Sequence, residues 1–424
     1  VKATLEHLRS DADDNNNNKC IVQMFCGSGK SLVIANLAHA FNAHITAIVM
    51  PSLALMDQYF AKYIRNKNCT HCIRICSSAD VDENAAQETT NPDDISRFLN
   101  YKKTHKTICV TYQSLNTLLD NLGNHTIDLC CFDEGHRAVS PNSYHLIFGD
   151  DYAHHIHNKV FFTATPKNNG PHKMSDLCGP TVYEYSYFQG VKDKFIHPFE
   201  LRVDLFLENT VRSIYDSISR AILTTGNNRV LTFHSDVNTG RERSVNEFAD
   251  IHLFQASFTK VLNTEFPELK DKYANIAHKI KVCALSAGVS SIERRNILSQ
   301  FDACKPDEVF ILCSCKTIGE GVDTHRANMC VFVDPKASIG EIIQNIGRIS
   351  RIRDTPTFGT VLLPCFIDRT KYEDCGDDPE KRDAVIREDM GVTGNMNGIL
   401  NVASALEQED EHMFLACLNY PNKW

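Results

Sequence analysis

Three short groups of residues have the types and spacing to act on a phosphoanhydride. The first is Cys26, Gly27, Ser28, Gly29, Lys30 and Ser31, preceded by the strand-like run Cys20 to Phe25 and followed by the helix-like LVIANLAHAF. Strand, tight glycine loop and helix in that order make a phosphate cradle. The glycines let backbone N–H groups face a β-phosphate at a helix start, Lys30 can reach the β- and γ-phosphates, and the Ser31 hydroxyl can ligate Mg²⁺. Met24 stands where the first glycine of the full motif would be, so the loop taken alone also fits an ordinary turn. The second group is Asp133 and Glu134, which follow directly on the apolar Leu129, Cys130, Cys131 and Phe132. Carboxylates at the C-terminal end of a buried parallel strand lie where such sheets bind ligands. Asp133 is suited to hold Mg²⁺, usually through water, and Glu134 to orient and deprotonate an attacking water. The third is the pair Arg348 and Arg351, three apart and so on one face of a helix.

The elements that must position these groups can be read from apolar runs. HITAIVM, KTICVTY, IDLCCFD and KVFFTAT recur between helix-like stretches in the first half, and RVLTFH, KVCALS, EVFILCS, NMCVFVD and GTVLLP do so in the second. Strand alternating with helix predicts an α/β fold of mostly parallel sheets covered by helices, with the same scheme occurring twice. The stretch from Tyr183 to Leu201, rich in aromatics, Gly and Pro, reads as an inter-domain crossing, with the boundary near Pro198. After Asp368 the chain turns acidic and then shows apolar positions at intervals of three and four in ILNVASALEQEDEHMFLACL, which predicts a helical C-terminal extension. The expected division is 1–190, 201–370 and 371–424.

With 424 residues, 42% apolar and 23% charged, the chain has the composition of a globular protein of two to three domains. It has no run of eighteen apolar residues and no signal-like start, so secretion and membrane spanning are not expected, and an intracellular location is. Its first residue is Val, which admits a fragment or a processed product. The 17 cysteines are scattered through strand-like runs and read as reduced, buried thiols rather than a disulfide framework. Cys69, His71, Cys72 and Cys76 lie within eight residues, yet a second pair of ligands is missing and Cys76 falls in the strand-like IRICSS, so zinc is not expected. A net charge of −9 argues against a general basic coat for nucleic acid and confines any polyanion contact to a groove.

A DEGH box (Asp133, Glu134, Gly135, His136) after a GSGKS loop resembles the DEAD/DEAH-like ATPases of helicase superfamily 2, in a flavour nearest the restriction-enzyme-like helicases, including those of large DNA viruses. Other segments follow that family's order. Met50 to Leu53 resemble motif Ia, Val110 to Ser114 motif Ib, and Thr163, Ala164 and Thr165 the S/T-A-T of motif III. Thr232 to Ser235 resemble motif IV, Gly319 to Asp323 motif V, and Gln344, Gly347, Arg348 and Arg351 fit motif VI. Gly135 replaces the common Ala of the acidic box, a change the backbone should tolerate. The usual adenine-reading segment is not recognisable, which leaves the base preference open.

The resemblance implies two tandem RecA-like domains and an ATP- and Mg²⁺-dependent ATPase. Cys26 to Ser31, Gly321 and Asp323 would bind the nucleotide, Ser31 and Asp133 the metal, and Glu134, Asp133, Lys30, Arg348, Arg351 and Gln344 would form the catalytic set. Arg348 and Arg351 would neutralise the γ-phosphoryl charge from across a cleft. A nucleic-acid strand would be gripped near Pro51, Ser52, Thr111, Gln113, His234, Ser235, Lys316 and Thr317, on phosphate and sugar and without a base code. His136, Thr163 and Thr165 would couple the two sites. DNA is expected over RNA, and a monomer is expected. Three functions remain open: a helicase or translocase, a duplex-DNA pump that does not separate strands, and a nucleotide-gated sensor or scaffold with little turnover.

Overall fold

The computed structural model describes residues 1–392 other than 11–17, 65–70, 77–87, 103–104, 209, 236–243, 274, 287–288, 316–323, 325, 335–338 and 352–357. The expected helix within 399–418 therefore lies outside the described residues, as do Gly319 to Asp323, Lys316, Thr317 and Cys69. The chain divides into two compact units, Val1–Ser186 and Tyr187–Trp424.

The first unit is built on eight strands: β1 (Asn18–Met24), β2 (Ile45–Met50), β3 (Cys72–Ile75), β4 (Glu88–Thr89), β5 (Lys106–Thr111), β6 (Ile127–Asp133), β7 (Ile156–Thr163) and β8 (Thr181–Tyr185). They lie in the order β4-β3-β5-β2-β6-β7-β1-β8, and each pairing is parallel. A parallel sheet is covered on both faces, so its inner strands are apolar throughout, and every residue of β2 is buried. Alternate residues then supply two cores. Ile45, Ala47 and Val49 of β2 join one with Cys130 and Phe132, while Ile48 and Met50 join the other with Leu129 and Cys131.

The register brings the expected chemistry to one edge. Gln23 of β1 pairs with Thr163 of β7, and Asp133 of β6 pairs with Phe162 of the same strand. The ends of β1, β7 and β6 thus stand side by side, carrying the glycine loop, Thr163 and the acidic pair. The ends of β2 and β5 continue the same edge into Pro51 and Thr111.

The second unit repeats the scheme with β9 (Phe199–Phe206), β10 (Arg229–His234), β11 (Ile280–Leu285), β12 (Val309–Cys315), β13 (Met329–Phe332) and β14 (Gly359–Phe366), in the order β11-β12-β10-β13-β14-β9. All of these pairings are parallel too. The helices Val211–Thr225 and Ile251–Glu265 bury Ile214, Tyr215, Ile218, Phe254 and Phe258 against the sheet. Two helices, Arg369–Asp374 and Pro379–Val392, follow the last strand.

The stretch read as a crossing holds the division between the units but is not strand-free. It contains the end of β8 and the start of β9, one edge strand of each sheet, and the units divide between Ser186 and Tyr187, ahead of the expected Pro198. An edge strand is partly open to solvent, so it needs no continuous apolar run and leaves no strong signal. Among the described residues the cysteines are mostly buried, and no helix is long and apolar enough to cross a membrane.

Candidate active site

The glycine loop begins where β1 ends. Phe25 N–H donates to Tyr185 O at 3.0 Å, which anchors the loop's first residue to β8, and Ser28 Oγ donates to Phe25 O at 2.6 Å. Gly27 and Gly29 take φ of 82° and 97°, in the region that favours glycine. The helix Lys30–Phe41 starts immediately after Gly29. A Cβ built on Gly29 would meet nothing within 4 Å, so conformation rather than space demands glycine there. Lys30 is only 9% exposed, and its Nζ donates to Met24 O at 3.3 Å across the loop. Met24, in the place of the missing glycine, is a core residue of β1. Cys26, Ser28 and Ser31 are half-buried, and Gly27 and Gly29 are exposed.

Asp133 and Glu134 leave the end of β6 in a tight turn. Burial, and then the neighbouring Glu134, push the Asp133 carboxyl up to about 7, while Lys30 and the Glu134 N–H oppose the shift. That influence of Lys30 ties the glycine loop to the acidic pair electrostatically. The oxygens of Ser31 and Asp133 are the hard donors Mg²⁺ takes, and a divalent cation would relieve the crowding of two adjacent carboxylates; the residues fit the ion.

Glu134 adopts φ 49° and ψ 53°, a left-handed conformation that costs a non-glycine residue about 1–2 kcal/mol. Its N–H donates to Asp133 Oδ1 at 3.1 Å. Its Oε2 is buried and makes no hydrogen bond among the described residues, and His136 Nδ1 lies 3.5 Å away. Burial is the main influence on the His136 ring and lowers its pKa, outweighing Glu134, so the neutral imidazole is favoured. The same Nδ1 is 3.2 Å from Thr163 Oγ1, whose own proton goes to Thr165 O at 3.2 Å while Thr165 N–H donates back at 3.1 Å. A hydroxyl with its proton already committed accepts from Nδ1–H, which sets the tautomer. His136, Thr163 and Thr165 therefore form one chain of contacts from the acidic box to the end of β7.

Gly135 carries a requirement that its sequence reading missed. A Cβ there would stand 2.8 Å from Phe161 Cβ and 3.1 Å from Phe161 Cα, too near β7 to fit without a shift. Glycine in place of the common Ala is thus a packing necessity in this chain. Gly135→Ala should destabilise the first unit by about 1–3 kcal/mol, the usual cost of forcing a methyl into a filled site. A lowered Tm in thermal denaturation checks this; a variant that melts with the wild type would show that the turn yields freely.

Not every expected contact is on offer. Gln113 and Ser235 are exposed and Pro51 and Ser52 half-buried, but Thr111 and His234 are buried. Thr111 Oγ1 accepts from Ser114 N–H at 3.2 Å, and Ser52 Oγ accepts from Leu55 N–H at 3.4 Å, so both cap the turns that follow them. His234 is 0% exposed, hydrogen-bonded to Thr232 Oγ1 at 2.7 Å and edge-on to Phe248. Its ring supports motif IV and supplies no surface to a strand, which corrects the expectation. Ser235 N–H is held by the Asp334 carboxylate at 2.7 Å.

The arginine pair is also revised. The helix Ile339–Ile349 carries Gln344, half-buried, and Arg348, 8% exposed, but it ends before Arg351. His197 N–H donates to Ser350 O at 2.7 Å and Ser350 Oγ donates to Ile346 O, so the last turn is tied off. Arg351 lies beyond the helix end, half-buried, with Nη1 3.5 Å from Thr324 O. Arg348 thus sits in the last helical turn and Arg351 two residues past the helix end. At the cysteine cluster, His71 stacks on Phe98 at 4.4 Å, and burial is the main cause that pushes the Cys76 thiol up to about 11.

Comparison with known proteins bears on this arrangement. Residues 1–168 match the family model described as type III restriction enzyme, res subunit, and residues 254–353 match the helicase conserved C-terminal domain. A "Probable helicase A859L" of African swine fever virus is 24% identical over 437 residues, covering 96% of this chain and 44% of its own length. The chain belongs to helicase superfamily 2. Members of this superfamily are ATP-hydrolysing enzymes, and the tandem parallel sheets are its two RecA-like domains. The protein named DNA 3'-5' translocase XPB2, of Sulfurisphaera tokodaii, is 24% identical over 275 residues, with 58% of this chain and 60% of that protein covered. Among solved structures, the ATP-dependent Type ISP restriction-modification enzyme LlaBIII bound to DNA aligns with a TM-score of 0.68 at 17% identity, over 97% of this chain and 29% of that one. The chain spans less than half the length of the viral relative.

Proposed function

We propose that this superfamily 2 chain is a nucleic-acid-dependent ATPase acting as a helicase or translocase, with ATP hydrolysed in a cleft between its two RecA-like units. The observation that carries the reading is that Lys30 and the Asp133 and Glu134 pair stand at strand ends on either side of β7, close enough for the lysine to act on the Asp133 carboxyl. On this reading residues 1–190 bind the nucleotide, 201–370 form the second motor domain and 371–424 a helical extension. Gly27, Gly29 and Lys30 cradle the phosphates; Ser31 and Asp133 would hold Mg²⁺, which supplies charge neutralisation between the phosphates. Glu134 orients the water and takes its proton. Arg348, Arg351 and Gln344 act on the γ-phosphate when the units close, and Gly321 and Asp323 assist the nucleotide.

Closure and opening move a strand held along the sheet edges by Pro51, Ser52, Gln113, Ser235, Lys316 and Thr317. DNA is the favoured track, supported by the XPB2 and LlaBIII descriptions. Those descriptions also favour a second reading, a duplex pump that does not separate strands. Steady-state ATPase should rise about tenfold or more with DNA, a barrier reduction of about 1.4 kcal/mol. An ATPase indifferent to every nucleic acid would sink the motor reading in favour of a sensor. Strand displacement beside triplex displacement distinguishes unwinding from pumping, because a pump strips a third strand and leaves the duplex paired.

A further inference from the structure

Tyr112 lies in the turn Tyr112–Ser114 that follows β5, yet its hydroxyl reaches the acidic box at the end of β6. Strand β2 stands between those two strands, so the phenol spans a strand to get there. It donates to Asp133 O at 3.0 Å, with Glu134 O at 3.4 Å. The ring is buried and tilts against Phe132 at 6.3 Å. Burial holds the phenol pKa well above its ordinary value, so the hydroxyl remains a donor.

The bonded carbonyl belongs to the peptide that joins Asp133 to Glu134. Rotating that peptide changes φ of Glu134, whose value of 49° already lies in a costly region. A donor fixed on the Asp133 carbonyl therefore holds the orientation from which the Glu134 carboxylate projects. The other end of the connection is the motif Ib turn. Thr111 Oγ1 ties that turn to Ser114 N–H, and Gln113, next to Tyr112, is exposed. A displacement of the turn reaches the Glu134 peptide through one side chain.

We infer that Tyr112 is a positioning residue linking the motif Ib turn to the water-orienting Glu134, so that nucleic acid engaging Gln113 raises ATP turnover. This rests on the ATPase reading given above. Tyr112→Phe removes the hydroxyl alone. In steady-state ATPase with and without single- and double-stranded DNA, the ratio of stimulated to unstimulated kcat should fall by about tenfold, with KM for ATP within about twofold of wild type. Equal falls in both rates would overturn the link, since Tyr112 would then only support the site. An unchanged ratio in a variant that melts with the wild type would overturn it as well. If Tyr112→Phe melts early, Thr111→Val, which loosens the same turn from its other end, carries the same expectation and the same refutation. Wild-type protein that DNA does not stimulate would remove the motor reading and the link together; a stimulated wild type with an equally stimulated variant removes only the link.

Discussion

Glu134→Gln should stop steady-state ATP hydrolysis while leaving ATP bound. The substitution keeps the size and shape of the side chain, so the left-handed turn, the Tyr112 hydrogen bond to the Asp133 carbonyl and the Glu134 N–H bond to Asp133 should survive. What disappears is a carboxylate oxygen that is buried, makes no hydrogen bond among the described residues and lies beside a neutral imidazole. An oxygen of that kind is a ready acceptor for a proton from water, and an amide is not. General-base catalysis contributes about 10²–10⁴-fold, so kcat should fall within that range. Phosphate release beside the binding of a fluorescent ATP analogue reads the two properties separately. Normal turnover would refute the water-activating role, and loss of nucleotide binding would move Glu134 into the cradle.

Removing the second unit's cation should cost as much or more. Arg351→Ala is expected to lower nucleic-acid-stimulated kcat by about 10³–10⁵, the usual contribution of an arginine that meets γ-phosphoryl charge from outside the cradle. Arg351 is the better target of the pair because it is half-buried beyond the helix end, whereas Arg348 is buried in the last helical turn. Truncating a buried cation confuses catalysis with folding, since the space and charge it leaves both carry a penalty. Binding of the ATP analogue by the first unit should persist in Arg351→Ala. A fall smaller than about tenfold would show that Arg351 does not face the transferring phosphoryl group.

The catalytic side chains were readable because their chemistry demands residue types that little else explains in sequence. A lysine at a helix start after two glycines, and two carboxylates at the end of an apolar strand, say what they could bind before any fold is known. Most of the strand runs read beyond the glycine loop were readable for a different reason. Inner strands of a parallel sheet are buried on both faces, and that leaves unbroken apolar runs such as ITAIVM and GTVLLPCF. The edge strands β8 and β9 escaped notice because their residues are largely exposed or half-buried, which gives a pattern close to that of a loop.

Side-chain roles set by neighbours distant in sequence were not readable. Thr232, Phe233, His234 and Ser235 suggest a strand-gripping loop, yet the pairing of β10 with β12 and β13 and the packing of Phe248 turn the His234 ring inward. The spacing of Arg348 and Arg351 suggests one helical face, but the helix ends at Ile349 and the Ser350 carbonyl accepts from His197 N–H.

The residues themselves determined the twofold α/β scheme and the phosphate-handling groups, since backbone period and functional-group chemistry are local properties. Tertiary structure decided which strand ends stand together, why Gly135 must lack a side chain against Phe161, and that Tyr112 reaches over β2 to the Asp133 carbonyl. Those facts depend on strand order and close packing between segments tens of residues apart, and no short stretch of sequence contains them.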